Sequence, residues 1–433
     1  MRIHLHTWAS RAAVLAAALV LVAAVVLAAA TAATAATTEG LDCDTSSTNS
    51  FTLTADDGYV STPDGNSIYM WSYDNALRAR FQLPGPTLCV TSGKAVTVIL
   101  HNTLPEATSI IFPGQLAVKA NGNPAQPQLD SGGSLTSMVQ SAPAGNGSVT
   151  YTFTAGSPGT YLYRSGTDVD KQVQMGLYGA LVVRPVGGAD HVNNRADSAF
   201  NPAHEYLFLL SEVDPQVHLA VERKSPVDWD AYNAKYFMIN GRSMPDTLAP
   251  NHASWLPNQP YGAFVHIRPY DASTNPLPAT IRYLNAGTVN YPFHPHGSDE
   301  RVVNKDGQAL AGPTGQDLSY NKFDLNVAPG QTLDVLMDWR DVEHWDATTN
   351  PVPTQIPAIT DQLLVGTDTW FSESPYLGTK NPVPSNITDN NQCGEYYHIA
   401  HSHALQQATN FGATFGGMMT VYRIDPPNGC SGN

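Results

Sequence analysis

Tyr396-Tyr397-His398-Ile399-Ala400-His401-Ser402-His403 places three histidines in six positions near the C-terminus. A second stretch, Asn290-Tyr291-Pro292-Phe293-His294-Pro295-His296-Gly297, precedes it by about a hundred residues. Each contains a His-x-His pair. On a β-strand, residues two apart point to the same face, roughly 6.5–7 Å apart along the chain. Each pair is therefore a two-imidazole fork, and two facing forks would make a nest for copper or zinc. The chain has 14 histidines, so a single pair would carry little weight. Two pairs make His294, His296, His401 and His403 the candidate metal ligands.

Outward from these forks the chain reads as all-β. The 34 glycines and 32 prolines punctuate short Val/Ile/Thr/Tyr/Phe runs, which is how strands separated by turns look. Strands are expected at 95–100, 148–154, 159–163 and 178–183, closing a first β-sandwich near Arg184-Pro185. After a polar linker at 186–203, a second sandwich is expected from strands at 204–210, 236–240, 263–267, 279–284, 323–327, 332–337, 395–401 and 417–424. Residues 341–392, rich in Pro, Thr, Asn and Asp, read as a long insertion of the kind that is more often functional or mobile than part of a core. No long helix and no nucleotide-binding glycine motif is evident.

Residues 1–36 read as an export signal: Arg2 and Arg11, an apolar run from Ala12 to Ala30, then Ala33-Thr34-Ala35-Ala36 as the cleavage site. The run is long, so an uncleaved anchor is the alternative; after cleavage no membrane contact is expected. In an oxidising compartment Cys43, Cys89, Cys393 and Cys430 would form two disulfides, with three connectivities open. The formal net charge of −15, scattered along the chain, excludes nucleic acid and anionic membrane surfaces as natural partners. Nothing in the sequence names a protein partner.

Several motifs together resemble the multicopper oxidases, the cupredoxin-fold family of laccases and related enzymes. They are Gly85-Pro86-Thr87, Gln174-Met175-Gly176-Leu177-Tyr178-Gly179-Ala180-Leu181-Val182-Val183, Tyr236-Phe237-Met238-Ile239-Asn240-Gly241-Arg242, Val327-Ala328-Pro329-Gly330-Gln331 and Phe415-Gly416-Gly417-Met418-Met419. The resemblance implies two cupredoxin-like Greek-key sandwiches, at 40–186 and 195–428, similar to the two-domain branch, whose members often form trimers with copper between chains. It also implies a type 1 copper that takes electrons from substrate and a trinuclear cluster that reduces oxygen.

The ligand positions depart from that pattern. The family's type 1 cysteine falls on Ser402, its two histidines on Tyr291 and Gln407, and its axial methionine near Gly412. A serine hydroxyl does not replace a soft thiolate. The first-domain cluster histidines fall on Ile111, Pro113, Arg164 and Gly166, and an always-cationic guanidinium is a poor neighbour for a copper ion. Of the eight cluster positions, His294, His296, His401 and His403 keep histidine.

The expectation is therefore an exported multicopper-oxidase-like protein, without type 1 copper, that holds at most one copper ion, or zinc, on those four residues. Whether it is an enzyme stays open. One alternative is a mononuclear copper or zinc oxidoreductase or hydrolase assisted by Glu395, Tyr397 or Asp168. Another, weaker, is a full oxidase using other histidines. A further one is an anion or small-ligand pocket built on Arg164, unless Arg164 pairs with Asp168 or Asp170. His398, outside both pairs, is expected to be structural.

Overall fold

The alternation read from the sequence becomes sidedness in the sheets. In Gly147–Thr154, Val149, Tyr151 and Phe153 turn inward while the intervening threonines stay half-exposed, the period-2 pattern of a strand with one buried face. The computed structural model describes residues 39–76, 80–340, 396–412 and 416–425. The 1–36 leader, the 341–392 insertion, Cys393, Glu395 and Cys430 lie outside them.

The first set of strands builds a six-stranded sheet in the order Ser67–Asn75, Ser50–Ser61, Ala95–Asn102, Gly147–Thr154, Leu116–Ala120, Asn123–Pro124. Against it lies a three-stranded sheet, Gly159–Arg164, Tyr178–Arg184, Gly85–Thr91. Leu53, Val98 and Tyr151 from one sheet and Leu88, Tyr163 and Leu181 from the other share one core. A second set repeats the plan. Tyr236–Ile239, Glu205–Val213, Ala279–Asn285, Thr332–Met337, Glu300–Lys305 and Gln308–Ala309 follow one another in one sheet, with Tyr320–Lys322 paired to Glu300–Lys305. The facing sheet runs Val265–Ile267, Met419–Ile424, Tyr396–Ser402, Tyr291–Pro295, Leu325–Val327. The helices among the described residues are short: Val169–Gln174, Pro215–Glu222 and three 3-10 turns.

The described residues form one compact unit, and the strand Gly159–Arg164 shows how its two sandwiches join. Tyr161 and Tyr163 enter the first core. Their neighbours point the other way: Leu162 packs in an apolar cluster with Leu207, Leu209, Met238 and Leu284 of the second set. Thr160 meets Asp334, donating from its backbone N–H at 3.1 Å and from its hydroxyl. Arg282, 1% exposed, donates to Glu205 at 2.7 Å and to Asp334 at 2.9 Å, and Arg184 donates to Glu205 at 2.6 Å. Two guanidinium groups thus neutralise two buried carboxylates, which alone would be costly to desolvate.

The 186–203 stretch is more than the polar linker expected. Val192 and Phe200, fully buried, pack with Val303 and Leu336; two apolar anchors in a polar stretch leave no periodic signal. A disulfide joins Cys43 to Cys89, with Cα atoms 5.6 Å apart.

Candidate metal centre

Strand geometry sorts the histidine-rich segments into two faces. Tyr291–Pro295 pairs antiparallel with Tyr396–Ser402, placing His294 opposite His401 and Phe293 opposite Ser402. The ladder continues outward, with the His296 N–H donating to the Ile399 carbonyl at 3.0 Å and the His403 N–H to the Pro292 carbonyl at 2.6 Å. Tyr291, Phe293 and Ala400 point into the core of the second sandwich, as does Ser402, also fully buried. His294, His296, His401 and His403 emerge on the opposite face.

There the four imidazoles form a quadrilateral. Ring centroids are 4.6 Å apart for His294–His296, 5.9 Å for His294–His401, 5.1 Å for His294–His403, 5.3 Å for His296–His401 and 5.8 Å for His401–His403. His401 is buried, His294 and His296 are half-buried and His403 is exposed. Backbone carbonyls fix two tautomers: Nδ1–H of His294 donates to Phe323 at 2.5 Å, and Nδ1–H of His401 donates to Ser402 at 2.8 Å. Each leaves Nε2 as the lone-pair nitrogen, the orientation that metal-binding histidines commonly take.

Nε2 of His296 lies 3.2 Å from Nε2 of His401. Two nitrogens bound at the usual 2.0–2.1 Å to one tetrahedral ion would stand about 3.3 Å apart, so this pair fits the edge of a coordination shell. Without an ion, the same separation is a hydrogen bond from one ring to the other. Among the described residues, no group of three or more His, Cys, Asp or Glu side chains is arranged to hold a metal ion as it stands. A third donor must come from rotation of His294 or His403. An open cleft of about 380 Å³ reaches His294 and His296 between Gly297, Asp299 and Phe323.

Inside the sheet, the type 1 positions are closed by hydrogen bonds. The Ser402 hydroxyl donates to the Gln407 side-chain carbonyl, and the Gln407 amide donates to the Asn290 carbonyl at 3.1 Å. Tyr291 is fully buried in the same core. No thiolate and no imidazole belongs to this group, so the donor set does not fit a type 1 copper. Gly412 lies on an exposed turn, where a Cβ would meet nothing within 4 Å. Met418, fully buried in the same core, bonds both Ser402 and Gln407 through its backbone.

The first-domain positions do come together. Ile111 and Arg164 exchange backbone hydrogen bonds, and a Cβ on Gly166 would stand 2.7 Å from Cγ2 of Ile111 and 3.2 Å from Cβ of Met138. Pro113 is exposed on the following turn. Apolar side chains and a guanidinium occupy this half, so it does not fit a copper cluster. Arg164 makes no ion pair with Asp168, which Lys171 takes at 2.7 Å. His398 is fully buried under Gly297 beside the Trp339 ring, and burial pushes its pKa down to about 4, in keeping with a neutral, structural ring.

A family model described as multicopper oxidase matches residues 61–187. Laccase-25 of rice, Oryza sativa subsp. japonica, is 27% identical over 264 residues, which is 59% of this chain and 38% of the laccase. Multicopper oxidase CTB12 of Cercospora beticola is 32% identical over 160 residues, 36% of this chain and 22% of that protein. The chain thus spans well under half the length of these relatives. Among solved structures, the blue copper oxidase from Nitrosomonas europaea superposes with a TM-score of 0.56 at 18% identity, covering 88% of this chain and 86% of that one. Multicopper oxidase mgLAC superposes with a TM-score of 0.56 at 19% identity, covering 87% and 86%. The fold is that of the cupredoxin sandwiches.

Proposed function

For a chain that belongs among the multicopper oxidase-like proteins, as this one does, we propose a role other than laccase-type oxidation: an exported protein that holds at most one copper ion, with zinc as the alternative, on His294, His296, His401 and His403. The observation that carries this reading is the sidedness of one strand pair. On its inner face, Ser402 and Gln407 hydrogen-bond each other where the family places its electron-entry copper. On its outer face, four imidazoles remain within 5.9 Å of a neighbour, centroid to centroid. His296 and His401 would hold the ion, with His294 or His403 rotating in. A bound copper there would supply a Lewis acid or a one-electron couple, without a thiolate to pass electrons to it. The carbonyls of Phe323 and Ser402 would keep two rings oriented.

Export is supported by the 1–36 leader pattern and by the Cys43–Cys89 disulfide, a bond that persists in oxidising compartments. Among the described residues no helix is long and apolar enough to cross a membrane. A homo-oligomer, a trimer by resemblance, would cover the imidazole face with a neighbouring chain. A second reading, a mononuclear copper or zinc oxidoreductase or hydrolase, draws on the cleft that reaches His294 and His296. Of its assisting groups, Asp168 is paired to Lys171 and Tyr397 is buried.

Elemental analysis of the mature protein and of its His296→Ala and His401→Ala variants tests the proposal. One ion per chain, lost in both variants, is expected. A wild-type chain that takes up no copper or zinc refutes the retained site. Turnover of phenols or esters that vanishes with the ion would favour the second reading.

A further inference from the structure

Between the two sandwiches lies a cavity of about 240 Å³. Its inner wall is largely apolar. Leu162, Tyr178 and Ala286 are buried there and belong to the cluster that joins the sandwiches, with Val173 of the short helix packed against them. Asp170 and Pro329, both exposed, stand at the rim. None of the metal-candidate histidines lines it.

One cation enters this apolar setting. Arg164 ends the strand Gly159–Arg164, and strand alternation turns it, with Thr160 and Leu162, toward the second sandwich and the cavity. It is half-buried, and among the described residues its guanidinium makes no ion pair and no hydrogen bond. Burial pulls its pKa down, and only the Tyr73 phenol pulls the other way. A partly desolvated cation without a counter-ion is a standing cost in the free protein. An anion entering the cavity would remove it.

Neither carboxyl beside the cavity supplies that anion. Asp170 is exposed and does not pair with Arg164. Glu212 is engaged elsewhere: Oε1 accepts from the Thr288 N–H at 2.7 Å, the Thr288 hydroxyl at 2.7 Å and the Tyr232 hydroxyl at 3.0 Å. Its Oε2, without a hydrogen-bond partner among the described residues, is sealed against Gly287, and burial raises the pKa of the group, favouring the neutral acid. A guanidinium offers a planar fork of donors that suits a carboxylate. At about 30 Å³ per water in the liquid, the cavity has the volume of roughly eight waters, below the roughly 300–1,000 Å³ of pockets that hold drug-sized ligands. A single cation, apolar walls and an acidic rim select a small monoanion with an apolar tail over phosphate or a dicarboxylate.

We propose that this cavity is a binding site for a small monocarboxylate, with its carboxylate on the Arg164 guanidinium and its apolar tail against Leu162, Val173 and Ala286. The site uses no metal and shares no residue with the four-imidazole face.

Calorimetric titration of the full-length mature protein, stripped of metal and desalted, with butyrate and benzoate, alongside butyramide, benzamide and inorganic phosphate, tests this. Saturable binding of at least one of the two carboxylates, with Kd in the millimolar range or below, is expected, at least about tenfold tighter than its amide or phosphate. Arg164→Gln should weaken it by about tenfold or more. Val173→Phe, which fills the apolar wall and leaves the guanidinium in place, should weaken it by a similar factor and keeps the test open should Arg164→Gln fail to fold, with circular dichroism checking both. No heat with either carboxylate overturns the proposal, as does binding unchanged in either folded variant, or binding matched by the amides or by phosphate. Carboxylate binding that appears only when metal is restored would place the ligand on an ion and overturn it too.

Discussion

Glu300→Gln should stabilise the protein at neutral pH and leave it nearly unchanged in mild acid. The Glu300 carboxyl is fully buried between two phenols: the Tyr283 hydroxyl donates to it at 2.9 and 3.0 Å, and that of Tyr422 lies 3.3 Å away. Burial pushes its pKa up to about 8 from an ordinary 4.5, against the smaller opposing pull of the two hydroxyls. An acid whose folded pKa is raised binds more protons folded than unfolded, so stability falls as pH rises. The loss begins above the unfolded value near 4.5, grows to the folded value near 8, and is complete beyond it. At 1.36 kcal/mol per unit, keeping the carboxyl protonated costs about 1 kcal/mol at pH 5 and on the order of 3–4 kcal/mol at pH 7–7.5. Glutamine does not titrate, and its carbonyl can still accept from Tyr283. Urea midpoints for both proteins at pH 5 and pH 7.5 measure the difference, all other titrating groups being common to both. A gap that widens by about 2–3 kcal/mol in favour of the variant is expected. Parallel pH profiles, or a variant equally destabilised at both values, would refute the assignment of a proton to Glu300.

Arg282→Met removes the cation shared by Glu205 and Asp334 and leaves buried carboxylates short of compensation. A loss of about 3–5 kcal/mol is expected, read as a lower urea midpoint; an unchanged midpoint would show that the network contributes little. His266 sits between Asp425 at 2.8 Å and Glu39 at 3.2 Å, and hydrogen bonds to these carboxylates raise its pKa to about 9 despite burial. A raised histidine pKa gives stability that is complete below about 6.5 and is lost as pH rises through about 9. His266→Gln should therefore flatten the decline in melting temperature between pH 7 and 9.5, and a decline of equal slope in both proteins contradicts the assignment. Ser402→Cys alone should give no blue thiolate–copper absorption, because Tyr291 and Gln407 supply no imidazole. The triple variant Tyr291→His, Ser402→Cys, Gln407→His should give it on copper addition, and a blue single variant would contradict the ligand assignment.

Much of the candidate site was legible because strand periodicity is rigid. His-x-His spacing on adjacent strands forces both imidazoles of each pair to one face, and the register of His294 with His401 brought the two faces together. The residue types at Tyr291, Ser402 and Gln407 were readable in the sequence, but the hydrogen bond from the Ser402 hydroxyl to Gln407 was not. Gly412, matched by counting residues along the motif, lies on an exposed turn that follows the 3-10 turn Leu405–Ala408. The Arg282 network and the unpartnered side of Glu212 join residues far apart in sequence, and such pairings leave no local pattern. Arg164 was legible as an unusual cation, but which sandwich it faced depended on Thr160 and Leu162 pairing outward.

The copper content of the purified mature protein after saturation and desalting, read with its visible spectrum, tests the central claim most directly. One ion per chain and no blue absorption is the predicted result. Two or more coppers per chain, or a blue band, would contradict it.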